Sequence, residues 1–267
     1  MSQYLAFFKI KFIAGLQYRA AAIAGVLTQF FFGFVFIMVY YAFYESNNST
    51  GPMEWQALVS YIWLQQSFFA LTYVFHREKD IVKMVKDGNV AYELCRPGNI
   101  YFKWYTRILA SKATAVALRF LPVLIISFLL PYPFNLSLPP TLFNFLAFII
   151  TLSISTFLIT AIVSVLHLLM FYTLDAGGIL NFFKVISELF SGGIVPVLFL
   201  PNILQKISNF LPFQYIGDIP YRLYTGSISL SNLLSIISIQ IFWTLLFLMI
   251  GYLISKKISK RLVIQGG

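Results

Sequence analysis

Long apolar runs separated by short polar links are the feature that most restricts what this chain can fold into. A helix crossing a hydrocarbon core needs about 20 mostly apolar residues. Runs of that kind occupy 20–44, 55–75, 108–130, 141–169, 180–200 and 233–255. Of the 267 residues, 59% are hydrophobic and only 10% are charged, whereas a soluble domain carries roughly a quarter charged residues. The expected fold is an all-α membrane protein with six transmembrane helices, forming one transmembrane domain over 1–267.

The net charge of +10 does not point to nucleic acid, because the cations cluster between apolar runs. With the N-terminus in the cytoplasm, Lys9, Lys11, Arg19, the basic residues of 76–119, Lys184 and the KKISKR segment all fall on the inner side. Only Lys206 and Arg222 fall outside, so the positive-inside rule places both termini in the cytoplasm. No cleavable signal peptide is expected, since the first apolar run exceeds a signal h-region. The segment 1–19 alternates aromatics with spaced cations and is expected to form an interfacial helix. Lys112 and Arg119, in the first half of the third run, are expected to snorkel towards the inner headgroups. A break at Asp175, Gly177 and Gly178 is expected between the fourth and fifth runs. The stretch 201–230, interrupted by Pro201, Pro212 and Pro220, is too apolar for a free loop and too broken to span. Such backbone is tolerated where it packs on protein, so a re-entrant outer segment is expected there.

Catalytic and metal-binding patterns are lacking. The sequence contains no G-x-x-x-x-G-K-[ST] phosphate loop, no G-x-S-x-G elbow and no H-E-x-x-H. His76 and His167 lack metal-ligand spacing, and the single cysteine, Cys95, excludes an internal disulfide. Neither an enzymatic activity nor a cofactor bound by this chain is expected.

The polar segment 76–107 carries more information. Asp80 is placed to cap a short helix, IVKMVK, ended by Gly88. Ile81, Met84 and Val85 share one face of it. In the fifth run, Glu188 is an ionisable group in an apolar stretch, with Lys184 one turn away. It is a candidate pathway or gate residue, the alternative being a local ion pair. Ser153, Thr156, Thr160 and Ser164 share a face of the fourth helix; close packing is the first reading and a pathway lining the second. Asp218 and Arg222 are spaced to pair on an outer helix. Phe32, Phe36, Phe68 and Phe69 are read mainly as lipid contacts.

The run IVKMVKDGNVAYELCRPGN resembles the first cytoplasmic loop of bacterial ABC exporter permeases of the ABC-2 type, with Gly88, Leu94, Arg96 and Pro97 at the matching places. A second run, LFSGGIVPVLFLPNILQKISNFLPFQYI, resembles the end of the fifth span in that family, through Gly192, Gly193, Pro196, Pro201 and Pro212. The resemblance implies a permease in the bacterial plasma membrane that pairs with an identical or different second permease. It implies separate ATPase subunits that bind ATP and Mg²⁺. On the same footing 76–107 is a coupling loop, with Ile81, Met84, Val85 and Gly88 as the ATPase contact. Gly192, Gly193 and Pro196 form a bend below an outer gate, and Glu188, Ser153, Thr156 and Thr160 are candidates for the pathway. The rival readings are an ion-driven secondary transporter, for which Glu188 is the one reasonable carboxylate, and a non-transporting membrane anchor.

Overall fold

The computed structural model describes residues 3–46, 51–74, 78–94, 98–173 and 176–261, and every regular element among them is helical. The helices are α1 (Gln3–Gly15), α2 (Arg19–Ser46), α3 (Trp55–Ser67), α4 (Phe69–Thr72), α5 (Lys79–Lys86), α6 (Val90–Leu94), α7 (Ile100–Leu129), α8 (Leu142–Thr173), α9 (Ala176–Phe190), α10 (Asn202–Phe210), α11 (Asp218–Tyr224) and α12 (Leu233–Arg261). Four of them, α2, α7, α8 and α12, are long and apolar enough to cross a membrane.

The other two apolar runs form broken helices. The run at 55–75 turns as α3, leaves helical geometry at Phe68 (φ −104°, ψ 12°) and resumes as the single turn α4. The run at 180–200 begins earlier, as α9 with 15 residues, and ends at Phe190; at ~1.5 Å per residue that is about 22 Å, short of a hydrocarbon core. Gly177 and Gly178 lie inside α9 rather than in a break before it, and Asp175 lies outside the described residues. The third run starts sooner than expected, at Ile100, and continues through Pro122.

Burial ranks the long helices. In α8, 61% of the most apolar stretch is covered by protein, against 22% in α2 and 17% in α12. Thus α8 is the central post, packed by α12, α7 and α11, while α2 and α12 turn apolar side chains such as Ile23, Leu27, Phe242 and Leu245 outward. The short α3 is enclosed: every residue from Leu58 to Ser67 is buried, between α2, α7 and α11.

Helix α1 runs alongside the first half of α7 in the same direction. Tyr4 meets Phe102, Phe7 lies on the Arg107 guanidinium at 5.5 Å, and Thr114 donates to the Phe12 carbonyl at 3.3 Å. Contacts that advance together along both helices require a shallow crossing. Lys112 does not snorkel. It is fully buried, and its ammonium donates to the carbonyls of Leu71 (2.9 Å) and Tyr73 (2.8 Å). It thereby satisfies carbonyls that the end of α4 leaves without intrahelical partners.

Candidate functional site

Two places combine built geometry with the residues singled out by sequence. The first is α5. Its N-cap is Glu78, so Asp80 stands inside the first turn rather than capping it. Asp80 accepts from Lys11 of α1 at 3.0 Å, and Arg107 of α7 stands 3.9 Å away. The Lys11 hydrogen bond, aided by the charges of Lys11 and Arg107, holds the Asp80 carboxyl below the usual carboxylate range against a smaller opposing effect of burial. Gly88 ends the helix with φ +70° and open space around it, a backbone state that L side chains rarely take.

The apolar face of α5 is turned into this chain. Ile81 is fully buried and Val82 nearly so, in the core shared with α7 and α8, and Met84 and Val85 are half-buried against the same core. Ile81, expected at a partner surface, is therefore closed to a second protein in this conformation. Exposed instead are Lys79, Lys83, Lys86, Asp87 and Gly88, and a shallow depression lies among Lys79, Val82, Lys83, Lys86 and Asp87. The approach to α5 is fixed from behind by His167 of α8, whose Nδ1 donates to the Val163 carbonyl at 2.8 Å while its Nε2 accepts from the Glu78 N–H at 3.3 Å. The expected markers Arg96 and Pro97, like Cys95 and His76, lie outside the described residues, as does the side chain of Leu94.

The second place is the turn after α9. Gly192 adopts φ +74°, and a Cβ there would collide with the Tyr61 hydroxyl. Tyr61 donates to the Asp218 carboxylate at 3.0 Å and lies 3.3 Å from the Gly192 carbonyl. Gln65 donates to the carbonyls of Gly192 and Gly193. Asp218 is fully buried and also accepts from the Val197 N–H at 3.0 Å and from Arg222 at 3.1 Å. Its own N–H donates to the Ser191 carbonyl at 3.0 Å. One carboxylate thus ties α3, the turn after α9 and α11 into a single polar node. Pro196 immediately precedes a 3₁₀ turn at Val197–Phe199. The Asp218–Arg222 pair follows from its i,i+4 spacing; the roles of Tyr61 and Gln65 had no local signal.

The remaining candidates divide. Thr160 and Ser164 are buried and bond back to carbonyls one turn earlier in α8, Thr156 is half-buried and does the same, and Ser153 is exposed. The hydroxyl that crosses between helices belongs to a residue not singled out: Ser155 donates to the Tyr215 carbonyl at 2.7 Å and accepts from Gln240 of α12 at 3.1 Å. Glu188 is half-buried near the end of α9, and Lys184 lies 5.6 Å over the Tyr73 ring. Phe68 is buried between Phe120 and Phe148, whereas Phe32 is 46% exposed, so these two do not face one space. No group of His, Cys, Asp and Glu among the described residues could hold a metal ion.

A family model described as "ABC-2 family transporter protein" matches residues 9–266, nearly the whole chain. No curated protein and no solved structure matches.

Proposed function

This chain belongs to the ABC-2 family of transporter proteins, and on that premise we propose that it is the permease subunit of an ATP-driven exporter. It is a multi-pass membrane component of an ABC transporter. In this reading α2, α3–α4, α7, α8, α9 and α12 are the six passes, α9 completing its passage with the turn that follows it. Both termini and α5 face the cytoplasm of a bacterial cell, and α10 and α11 pack as re-entrant helices on the outer side. A second permease, identical or paralogous, completes the pathway, and separate ATPase subunits bind ATP and Mg²⁺.

The observation that carries the coupling part is the seating of α5. Its apolar face is fixed to the core at Ile81 and Val82, its flank is tied to α1 through Lys11–Asp80, and its outward face offers Lys83, Lys86 and Gly88. A force applied to that face is passed to α8 and α7 rather than lost in a loose loop. The exposed cations Lys83 and Lys86 would favour register and association rate against an acidic partner surface. Beneath the outer side, the Gly192–Gly193 turn and Pro196 form the bend that closes the pathway, pinned by Asp218.

The test is co-purification of the tagged chain from its native membrane in mild detergent. Wild type brings down a P-loop ATPase and the Lys83→Glu/Lys86→Glu variant does not. A stable, correctly folded wild type that brings down no ATPase contradicts the reading.

A further inference from the structure

A guanidinium in the membrane-facing part of α7 pairs with no carboxylate among the described residues. Among the described residues Arg119 makes no hydrogen bond and no ion pair, and its Nε is buried without a partner. It lies against α2 at Gly25, where a side-chain carbon would stand 2.7 Å from its Cζ and Nε. An unpaired cation in a spanning segment is costly enough to imply a partner from elsewhere.

Depth identifies that partner. Tyr41 of α2 meets Trp55 edge-on and Phe134 at a tilt in an aromatic belt, and lies about 24 Å along α2 from Gly25 at ~1.5 Å per residue. With a hydrocarbon core of about 30 Å, Arg119 sits a few ångströms inside the opposite boundary, within side-chain reach of the phosphate layer. It lines a cavity of 350 Å³ between α1, α2 and α7, into which Lys11, Tyr18, Arg107 and Ser111 also face. Glu78 and Asp80 border it too, and Asp80 is engaged by Lys11. The cavity adjoins an apolar crevice lined by Ile23, Val26, Leu27, Leu118 and Pro122, with Arg19 at its edge. Ala22 and Leu118 line both. A cationic head chamber opening into an apolar groove on a lipid-facing surface has the shape of one phospholipid.

We propose that this crevice between α2 and α7 is a binding site for an anionic phospholipid, its phosphate held by Arg119 and its acyl chain lying along Ile23 and Leu27. The site lies on the flank of the bundle and owes nothing to the direction of transport or to the ATPase.

The test uses the full chain, purified and delipidated. Dioleoyl phosphatidylglycerol, dioleoyl phosphatidylcholine and inorganic phosphate are added separately, with lipid adducts read by native mass spectrometry and protection read as a shift in Tm. Wild type and Arg119→Lys retain phosphatidylglycerol roughly fivefold over phosphatidylcholine, as one cation at a lipid surface provides. Arg119→Met, which keeps the length and loses the charge, binds both lipids alike. Inorganic phosphate gives no protection. Equal retention of the two lipids by wild type overturns the proposal, and this arm needs no variant to fold. A preference that persists in Arg119→Met, or protection by inorganic phosphate alone, also overturns it, the latter by assigning the chamber to a free anion.

Discussion

Asp218 shows how much one side chain can hold. It is fully enclosed and accepts from Tyr61, from the Val197 backbone and from Arg222. Asp218→Ala leaves the half-buried Arg222 charge and the Val197 N–H without their acceptor. Breaking a buried pair from one side costs about 3–5 kcal/mol, so the variant should melt well below wild type in detergent, and Asp218→Asn should fall between. Gly192 belongs to the same node, and Gly192→Ala both strains a positive φ and drives a methyl group into the Tyr61 hydroxyl. Tyr61→Phe removes the oxygen that would be struck. The two substitutions should therefore be less damaging together than the sum of each alone, which a double-mutant cycle on Tm measures.

Asp80 gives a pH dependence of known sign. Its folded-state pKa is depressed, so its contribution is present above the unfolded value, about 3.9, and is lost as pH falls through the lower folded value. The side chain is 58% exposed, so screening keeps the pair below about 1 kcal/mol. Asp80→Asn at neutral pH should raise hydrogen exchange in α1 with little change in Tm, and acidification of wild type should reproduce that loosening.

At the scale of elements, α5 separates packing from docking. Ile81→Ala empties a fully buried site and should cost about 2–5 kcal/mol, lowering Tm. Lys83→Ala and Lys86→Ala, on the exposed face, should leave Tm within a degree or two and act only on association with a partner. The break between α3 and α4 depends on Lys112. Lys112→Met withdraws the donor from two buried carbonyls, at about 1–3 kcal/mol, and the loss should appear as faster exchange around Leu71–Tyr73.

How far these elements could be read beforehand follows from their physics. Hydropathy located α2, α7, α8 and α12, because length and apolarity are local properties. It could not show that the run at 55–75 breaks, since Phe68 carries no glycine or proline signal, whereas α9 ends at Phe190, just before Gly192, Gly193 and Pro196, and Gly177 and Gly178 stayed helical. In α5 the period correctly placed Ile81, Met84 and Val85 on one face. Periodicity says which side chains travel together but not what covers them, and here α7 and α8 cover them. The node at Asp218 joins Tyr61 to a residue 157 positions away, a distance over which no sequence pattern operates.

The whole molecule is a central post, α8, with a polar node at one end and a polar-faced helix at the other. Both ends are rigidly attached. His167 and the Ile81 core bind α5 to α8, and Ser155, Gln240 and the Tyr215 carbonyl bind α12 and the segment before α11 to the same helix. Motion imposed at α5 is thus transmitted through packed elements with few loose joints between them. That arrangement suits a permease driven from one face by a separate ATPase, the function proposed for this member of the ABC-2 family.

The most direct test of that claim is a photocrosslink read in native membranes. p-Benzoylphenylalanine is placed at Lys86 in one variant and at Ile81 in another. The expected result is an adduct between position 86 and a P-loop ATPase, with none from position 81. An adduct from 81 but not from 86, or none from either in a folded chain, would contradict the outward-facing coupling role of α5.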